Sequence, residues 1–328
     1  MVTRAGRIAA ALALGLSLVA APGSLRAEDR AALLDAPAPP TLPALAHPGL
    51  NYTFEYTAAA IAPSEEGSTG ARAFAWFAHN EVELPVESRK WYIGAAHDIA
   101  AGAVPGLGKN LFLGNPEIWG RGLWSSVVGL STGGGLGVVL PLPRSPSEDE
   151  VRVLHTVRVV RPWDSAYFLD RTVTLRPFID IRHVVGRFLF QIRQGVDIDY
   201  VIRPLRITET PVIVPGAVLS SLSSEHRLDF VARATVYAGV RATREVGLGL
   251  EVWEVYQITA EIPDDKRASV AVSPSVRLML GRVAPAFSVL LPITTPLRGE
   301  AASYYAARLN VSFDFDLGKA SSLALGLP

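Results

Sequence analysis

From Leu50 onward, apolar and polar residues alternate one by one along the chain. A period of two marks a strand with one apolar and one polar face. In 171–184, Thr172, Thr174, Arg176, Phe178, Asp180 and Arg182 share one face, and Val173, Leu175, Ile179 and Ile181 the other. Val185-Gly186 predicts a tight turn. The pattern repeats in 187–203, where Phe188, Phe190, Ile192, Val196, Ile198 and Tyr200 oppose Gln191, Arg193, Asp197 and Asp199. In 227–240, Leu228, Phe230, Ala232, Ala234, Val236 and Val240 oppose Arg227, Asp229, Arg233, Thr235 and Tyr237. In 303–317, Leu309, Val311, Phe313, Phe315 and Leu317 oppose Arg308, Asn310, Ser312, Asp314 and Asp316. Further strands are predicted at 50–60, 71–86, 91–100, 113–125, 130–142, 245–259, 267–280 and 283–294, about twelve in all. Many exceed the usual soluble length of about 5–6 residues. They match the tilted strands of about 9–11 residues or more that cross a bilayer.

The connections carry a second signal. Short ones fall at 87–90, 126–129, 185–186, 241–244 and 281–282, and longer ones at 61–70, 101–112, 143–170, 204–226, 260–266 and 295–302. Short periplasmic turns alternating with long outer loops is the rule for outer-membrane barrels. An even strand count returns both ends of the barrel to the periplasmic side. The sequence therefore predicts an all-β protein: a single closed antiparallel transmembrane β-barrel over 49–317, porin-like in layout. The 143–170 segment, rich in proline and carrying Glu148-Asp149-Glu150, is assigned to an outer loop, within which Val151–Val160 also fits an amphipathic helix or a short extra strand.

Composition sharpens this. The chain has 328 residues, 49% of them hydrophobic and only 19% charged, with a mean hydropathy of +0.26. After the N-terminus, no uncharged apolar run reaches the 20 or so residues of a membrane helix, so the apolar residues must be interleaved along strands. Lys and Arg balance Asp and Glu, 31 against 31, which argues against a nucleic-acid partner, because phosphate contacts need clustered cations. With no cysteine, disulfides, thiolate-ligated zinc and a cysteine nucleophile are excluded. Residues 1–27 read as a cleaved signal peptide of a Gram-negative exported protein: basic Arg4 and Arg7, an apolar run over Ile8–Ala21, then Pro22-Gly23. Residues 28–48, with five prolines, predict an extended periplasmic lead-in, and 318–328 a C-terminal tail. The implied partners are outer-membrane lipid, the barrel-assembly machinery during insertion, and small-molecule solutes.

Tyr52, Tyr56, Trp91, Trp119, Trp124, Trp253, Tyr256 and Tyr304 lie near predicted strand ends and are expected to form interfacial girdles. The six histidines show neither HxH nor HExxH spacing, and no GxSxG is present, so neither a metal centre nor a hydrolase, and no cofactor, is expected. Gly133-Gly134-Gly135-Leu136-Gly137 lacks the Lys-Ser/Thr of a phosphate loop and is read as a bending, close-packed strand.

By parity, a row of charges faces the lumen: Arg176, Asp180, Arg182, Gln191, Arg193, Asp197, Asp199, Asp229, Arg233, Glu251, Arg277, Arg308 and Asp314. Buried charges must be paired, so the arginines are expected to be matched largely by these acids. Two readings stay open, an ionic network that braces a plugged lumen and a charge-lined constriction that sets selectivity.

Gly114-Asn115-Pro116-Glu117-Ile118, followed by Gly133–Pro141, resembles the core of outer-membrane transporters of the phenol-degradation meta-pathway type. Gly247–Glu251, the strand ending at Gly281 and the terminal Leu309–Leu317 strand are similar too. Asn115 stands where that family carries Asp, and Leu142-Pro143 where it carries Thr-Gly. The resemblance covers roughly 50–317. It implies a barrel for passive uptake of small molecules, apolar ones among them, and brings no catalytic residues.

Overall fold

The computed structural model describes residues 49–63, 72–86, 91–106, 108–127, 129–142, 147, 149–150, 153–154, 160–202, 227–259, 267–294 and 301–315. The signal peptide, the lead-in, the C-terminal tail and Asp316 lie outside them.

Among the described residues there are thirteen strands: β1 (Leu50–Pro63), β2 (Ala73–Val86), β3 (Trp91–Val104), β4 (Gly108–Leu113), β5 (Glu117–Val127), β6 (Leu130–Val139), β7 (Thr172–Val185), β8 (Phe188–Val201), β9 (Leu228–Arg241), β10 (Val246–Gln257), β11 (Ala268–Leu278), β12 (Val283–Thr294) and β13 (Ala301–Phe315). All but β4 form a closed antiparallel ring of twelve, sealed where Leu50 meets Phe315 and Tyr56 meets Leu309. Closure gives every strand of the ring a partner on both sides, the condition for a sheet in lipid, and β4 pairs with β3 outside the ring.

The predicted strand at 113–125 is corrected. The β3 strand runs on to Val104, turns tightly, and pairs with β4 through Ile99–Val104 and with β5 through Trp91–Ala96. Thus β4 and β5 follow one line along β3, interrupted at Gly114-Asn115-Pro116. The expected long connection at 101–112 is largely strand. Proline lacks a donor for a sheet ladder, and Gly114 sits so close to Asp98 that a Cβ would fall 2.7 Å from its carbonyl oxygen.

Side-chain facing follows the alternation. Phe188, Phe190, Ile192 and Phe315 point outward and are exposed, and Phe230 and Phe313, on the same outward parity, are half-buried. The opposite parity is buried and polar: Thr172, Thr174, Arg176, Asp180 and Arg182 on β7, Gln191, Asp197 and Asp199 on β8. An apolar outside around a polar inside is the arrangement of a barrel surrounded by lipid. Gly129 and Gly186 turn the chain at the end that carries both termini, with φ of +74° and +56°, a region β-carbons disfavour. That end is called here the terminal end, and the opposite one the far end.

The girdle needs correction. Tyr56, Trp91 and Trp124 are exposed on the outside, but Trp119, Trp253 and Tyr304 are buried within the barrel. Position near a strand end does not decide facing; parity does.

The segment after β6 departs most from expectation. It enters the barrel instead of lying outside it. Val153, Leu154, Val160 and a 3-10 helix over Pro162–Phe168 are buried against Ala59, Ala75, Ala96, Ala100 and Ala306 of the wall. Burying each valine, leucine or phenylalanine contributes roughly 1.5–3 kcal/mol. The wall supplies alanines where the segment needs room, and Phe168 packs edge-on to Phe77 at 5.9 Å. Val151–Val160 reads as an amphipathic helix or a short strand, but nothing in the sequence says that its apolar side turns inward.

Candidate functional site: the barrel lumen

Three wall strands and the inward segment meet in one ionic cluster. Arg308 on β13 donates to Glu55 on β1 at 3.1 Å and to Glu251 on β10 at 3.2 Å. Glu55 also takes Arg161 of the inward segment at 2.9 Å, and Arg161 in turn donates to Asp164. Burial opposes the Arg161 charge, but Asp164 and Glu55 hold its guanidinium above its ordinary value. Arg161, Glu55, Arg308 and Glu251 are all buried, so each charge depends on its partners.

A second cluster holds the other side of the segment. Arg176 on β7 reaches Glu117 at 2.8 Å, Asp197 at 3.1 Å and the Trp163 carbonyl at 3.0 Å. Tyr167 donates its hydroxyl to Glu117. Burial and the Glu117 carboxylate push the Tyr167 phenol well above its ordinary value, which keeps the proton on the donor. Gly137 of β6 makes this possible, because a Cβ there would overlap the Glu117 carboxylate. Gly135 similarly leaves space for Phe178 and for the root of Arg121. The glycine run is thus a groove in which neighbouring side chains lie.

Asn115 fastens the end of the 3-10 helix. Its side-chain amide donates to the Leu169 carbonyl at 2.7 Å, its oxygen accepts from the Leu142 amide at 3.0 Å, and its own amide donates to the Tyr167 carbonyl at 2.6 Å. Two of these bonds need a carboxamide with one donor and one acceptor; an aspartate could not donate. Asparagine at position 115 therefore has a local physical reason.

Arg193 and Asp180 pair in a fork, 2.6 and 2.7 Å, with Arg193 4.3 Å above the Phe178 ring. Arg233 meets Asp197 at 2.7 Å. Arg121 meets Glu83 at 2.6 Å over the Tyr92 ring. His79 approaches Asp98 at 2.5 Å and Glu81 at 3.4 Å. These last groups, with Glu55, Glu117, Arg161, Asp164 and Tyr167, were absent from the sequence-derived row. The alternation of Asn51, Thr53, Glu55 and Thr57 on β1, and of His79, Glu81 and Glu83 on β2, is a signal that could have found the wall members. Nothing comparable marks Arg161 and Asp164.

The expected row lies on the inward parity of its strands, but the matching of charges differs in part. Asp199 accepts from Thr174 at 2.6 Å, Asp229 from Thr259 at 3.0 Å and Asp314 from Asn51 at 2.6 Å. Arg277 donates to Asn310 at 3.0 Å. Arg182, Gln191, Tyr237, Glu251 and Ser273 are cross-strand neighbours in one buried row. Arg227 is exposed at the far end of β9 instead of lining the lumen.

Between the inward segment and the wall lies a cavity of about 130 Å³. Arg161, Trp163, Asp164 and Tyr167 border it on one side, and Glu81, His79, Arg193, Arg233 and Trp253 on the wall. Along β1 and β13 it reaches Thr53 and Ser312, close to the strand ends at Leu50 and Phe315.

No family model matches the chain, and no curated protein matches its sequence. Among solved structures, an outer membrane channel from Pseudomonas putida F1 superposes with a TM-score of 0.58 at 8% identity, covering 85% of this chain and all of the other (100%). The transport unit of the autotransporter AIDA-I from Escherichia coli (TM-score 0.45, 8% identity, 81% and 90% covered) and a Pseudomonas aeruginosa FadL homologue (0.38, 10%, 90% and 96%) overlay more loosely. The likeness to the first is one of fold.

Proposed function

We propose that this chain is an outer-membrane channel through which small molecules pass passively, along the lumen beside the inward segment. The observation that carries the reading is the cavity, which runs from the inward segment toward the terminal end and keeps Arg193, Arg233 and Glu81 partly exposed inside an otherwise packed lumen. The apolar outer face, with exposed Phe188, Phe190 and Ile192, supports a membrane setting. The barrel fold shared with an outer membrane channel supports the same reading.

In this proposal the terminal end faces the periplasm, residues 1–27 direct export and are removed, 28–48 lead into the barrel, and assembly machinery inserts the chain into the outer membrane of a Gram-negative cell. The motif around Asn115 and the glycine strand support a relationship to the phenol-degradation meta-pathway transporters. Apolar solutes are then among the cargo, and the expected charged row lines their route. Nothing in this role requires catalysis or a cofactor.

Single-channel recording of refolded protein in planar bilayers tests it. Discrete conductance steps are expected. A bilayer that stays silent with demonstrably inserted protein would identify a plugged, structural barrel instead.

A further inference from the structure

The arginines of the lumen fall into two kinds. Arg161, Arg176 and Arg308 are 3%, 5% and 0% exposed at the side chain, whereas Arg193 and Arg233 are 21% and 17% exposed. The acids that pair with the second kind, Asp180 and Asp197, are 1% and 2% exposed. A solute in the cavity therefore meets the guanidinium faces and not the carboxylates beneath them.

The two exposed arginines are diagonal neighbours on adjacent strands. Arg233 pairs in register with Gly195, two residues along from Arg193 on the same face of β8. It arches over that glycine so closely that a Cβ would lie 3.3 Å from its Nη2. Aromatic rings form part of the remaining lining, and its further charges Glu55, Glu117, Arg161, Asp164 and Arg176 are buried in the pairs described above. Trp163 and Trp253 have ring centroids 3.9 Å apart, and Phe178 lies under Arg193. Glu81, 22% exposed, contributes negative charge to the same cavity.

We infer that this cavity is a binding station for a small aromatic monocarboxylate, its ring against the tryptophans and its carboxylate on Arg193 and Arg233. This rests on the lumen being accessible to solutes, as the channel reading requires. Three arguments select the class. Guanidinium N–H groups bind carboxylates well, and the Asp180 fork takes Nε and Nη2 of Arg193 while Nη1 is outside it. A cavity of about 150 Å³ accepts benzene, so about 130 Å³ suits one ring with its charged end in the wider part. Glu81 disfavours a second negative charge on the ligand, and its attraction for a cation is offset by two guanidiniums.

Isothermal titration of benzoate into the refolded full chain in detergent micelles tests the assignment, with acetate, benzyl alcohol and benzylammonium as comparisons. Benzoate is expected to saturate one site. Benzyl alcohol should bind about tenfold more weakly, the scale of one lost charge-assisted contact, acetate should bind at least about tenfold more weakly because it lacks the ring that packs on the tryptophans, and benzylammonium should not bind. Arg233→Gln should weaken benzoate by about the same factor, and Glu81→Gln should tighten it. Arg233→Gln keeps a donor for Asp197, which Arg176 also holds, and heat-modifiable gel migration verifies its fold. Glu81→Gln gives the test a second, opposite sign. Equal binding of benzoate and benzyl alcohol, no response to either variant, or no benzoate binding would overturn the proposal. A conducting barrel that binds no benzoate removes this inference alone. A silent barrel that binds benzoate removes the channel and leaves the site.

Discussion

The two sides of the lumen solve the same problem differently. Where the inward segment joins β1, β10 and β13, Arg308 and Arg161 share Glu55 and are sealed from solvent. On β8 and β9, Arg193 and Arg233 use the same chemistry, an arginine over a carboxylate, but leave one face of each guanidinium open. A sealed pair is structural, because removing one member strands the other in a medium that cannot solvate it. A half-open pair keeps part of its hydration and can exchange it for a solute. The same residue type therefore latches the segment on one side and stays available to a ligand on the other.

The contrast can be broken most forcefully at Arg308. Arg308→Ala removes the arginine from Glu251, leaves Glu55 with Arg161, and is expected to cost about 3–5 kcal/mol, measured by urea unfolding in micelles. A loss no larger than that at Arg233 would erase the distinction. Placing a charge on the other face of the wall sharpens it. Ile179→Arg, on the outside of β7, should cost about 2–4 kcal/mol if that position sits at the bilayer midplane, although Arg176 and Arg182 of the same strand are tolerated on the inward parity. Unfolding in bilayers rather than micelles reads this out.

Loosening the latch is the next step. Tyr167→Phe removes the donor to Glu117 and should cost about 1–3 kcal/mol, with a rise in single-channel conductance as the segment is released. The phenol is raised above its ordinary value of 10.0. A raised folded value favours the neutral phenol, so its contribution is complete below about pH 10 and is lost as pH climbs beyond. Tyr167→Phe should flatten that alkaline fall in stability; an unchanged pH profile would count against the latch. The smallest effect belongs to Arg233→Gln, under about 1 kcal/mol, because Asp197 keeps Arg176. Its signature should be weakened anion preference in reversal-potential measurements.

Much of this architecture was legible in the chain. Parity alone placed Asp180, Arg193 and Asp197 on one face, because each barrel strand is in contact with two solvents. Closure of 50–60 on 303–317 followed from the need to satisfy both edges. The inward course of Arg161–Phe168 was not legible, since its contacts are long-range and its composition resembles any exposed loop. Gly114-Asn115-Pro116 was read as part of a strand over 113–125, and only coordinates show the break and Asn115 bridging Leu142 and Leu169. Trp253 and Tyr304 misled because proximity to a strand end was weighed above parity.

The seam between β1 and β13 has a kinetic consequence. Asn51 and Asp314, joined across it at 2.6 Å, are 263 residues apart in sequence. Every other adjacent pair in the ring joins strands that are neighbours, or near-neighbours, along the chain. Hairpins can therefore zip in succession at low loop-closure cost, while the seam must wait for the last strand to be made. Doubling a loop adds only about 0.6 kcal/mol of closure entropy, so the delay is one of search and not of stability. Until then the growing sheet carries two unsatisfied edges, each able to capture a strand from another chain. Shortening the chain before Phe315 would leave those edges open, and the expected product is an aggregate, not a smaller barrel.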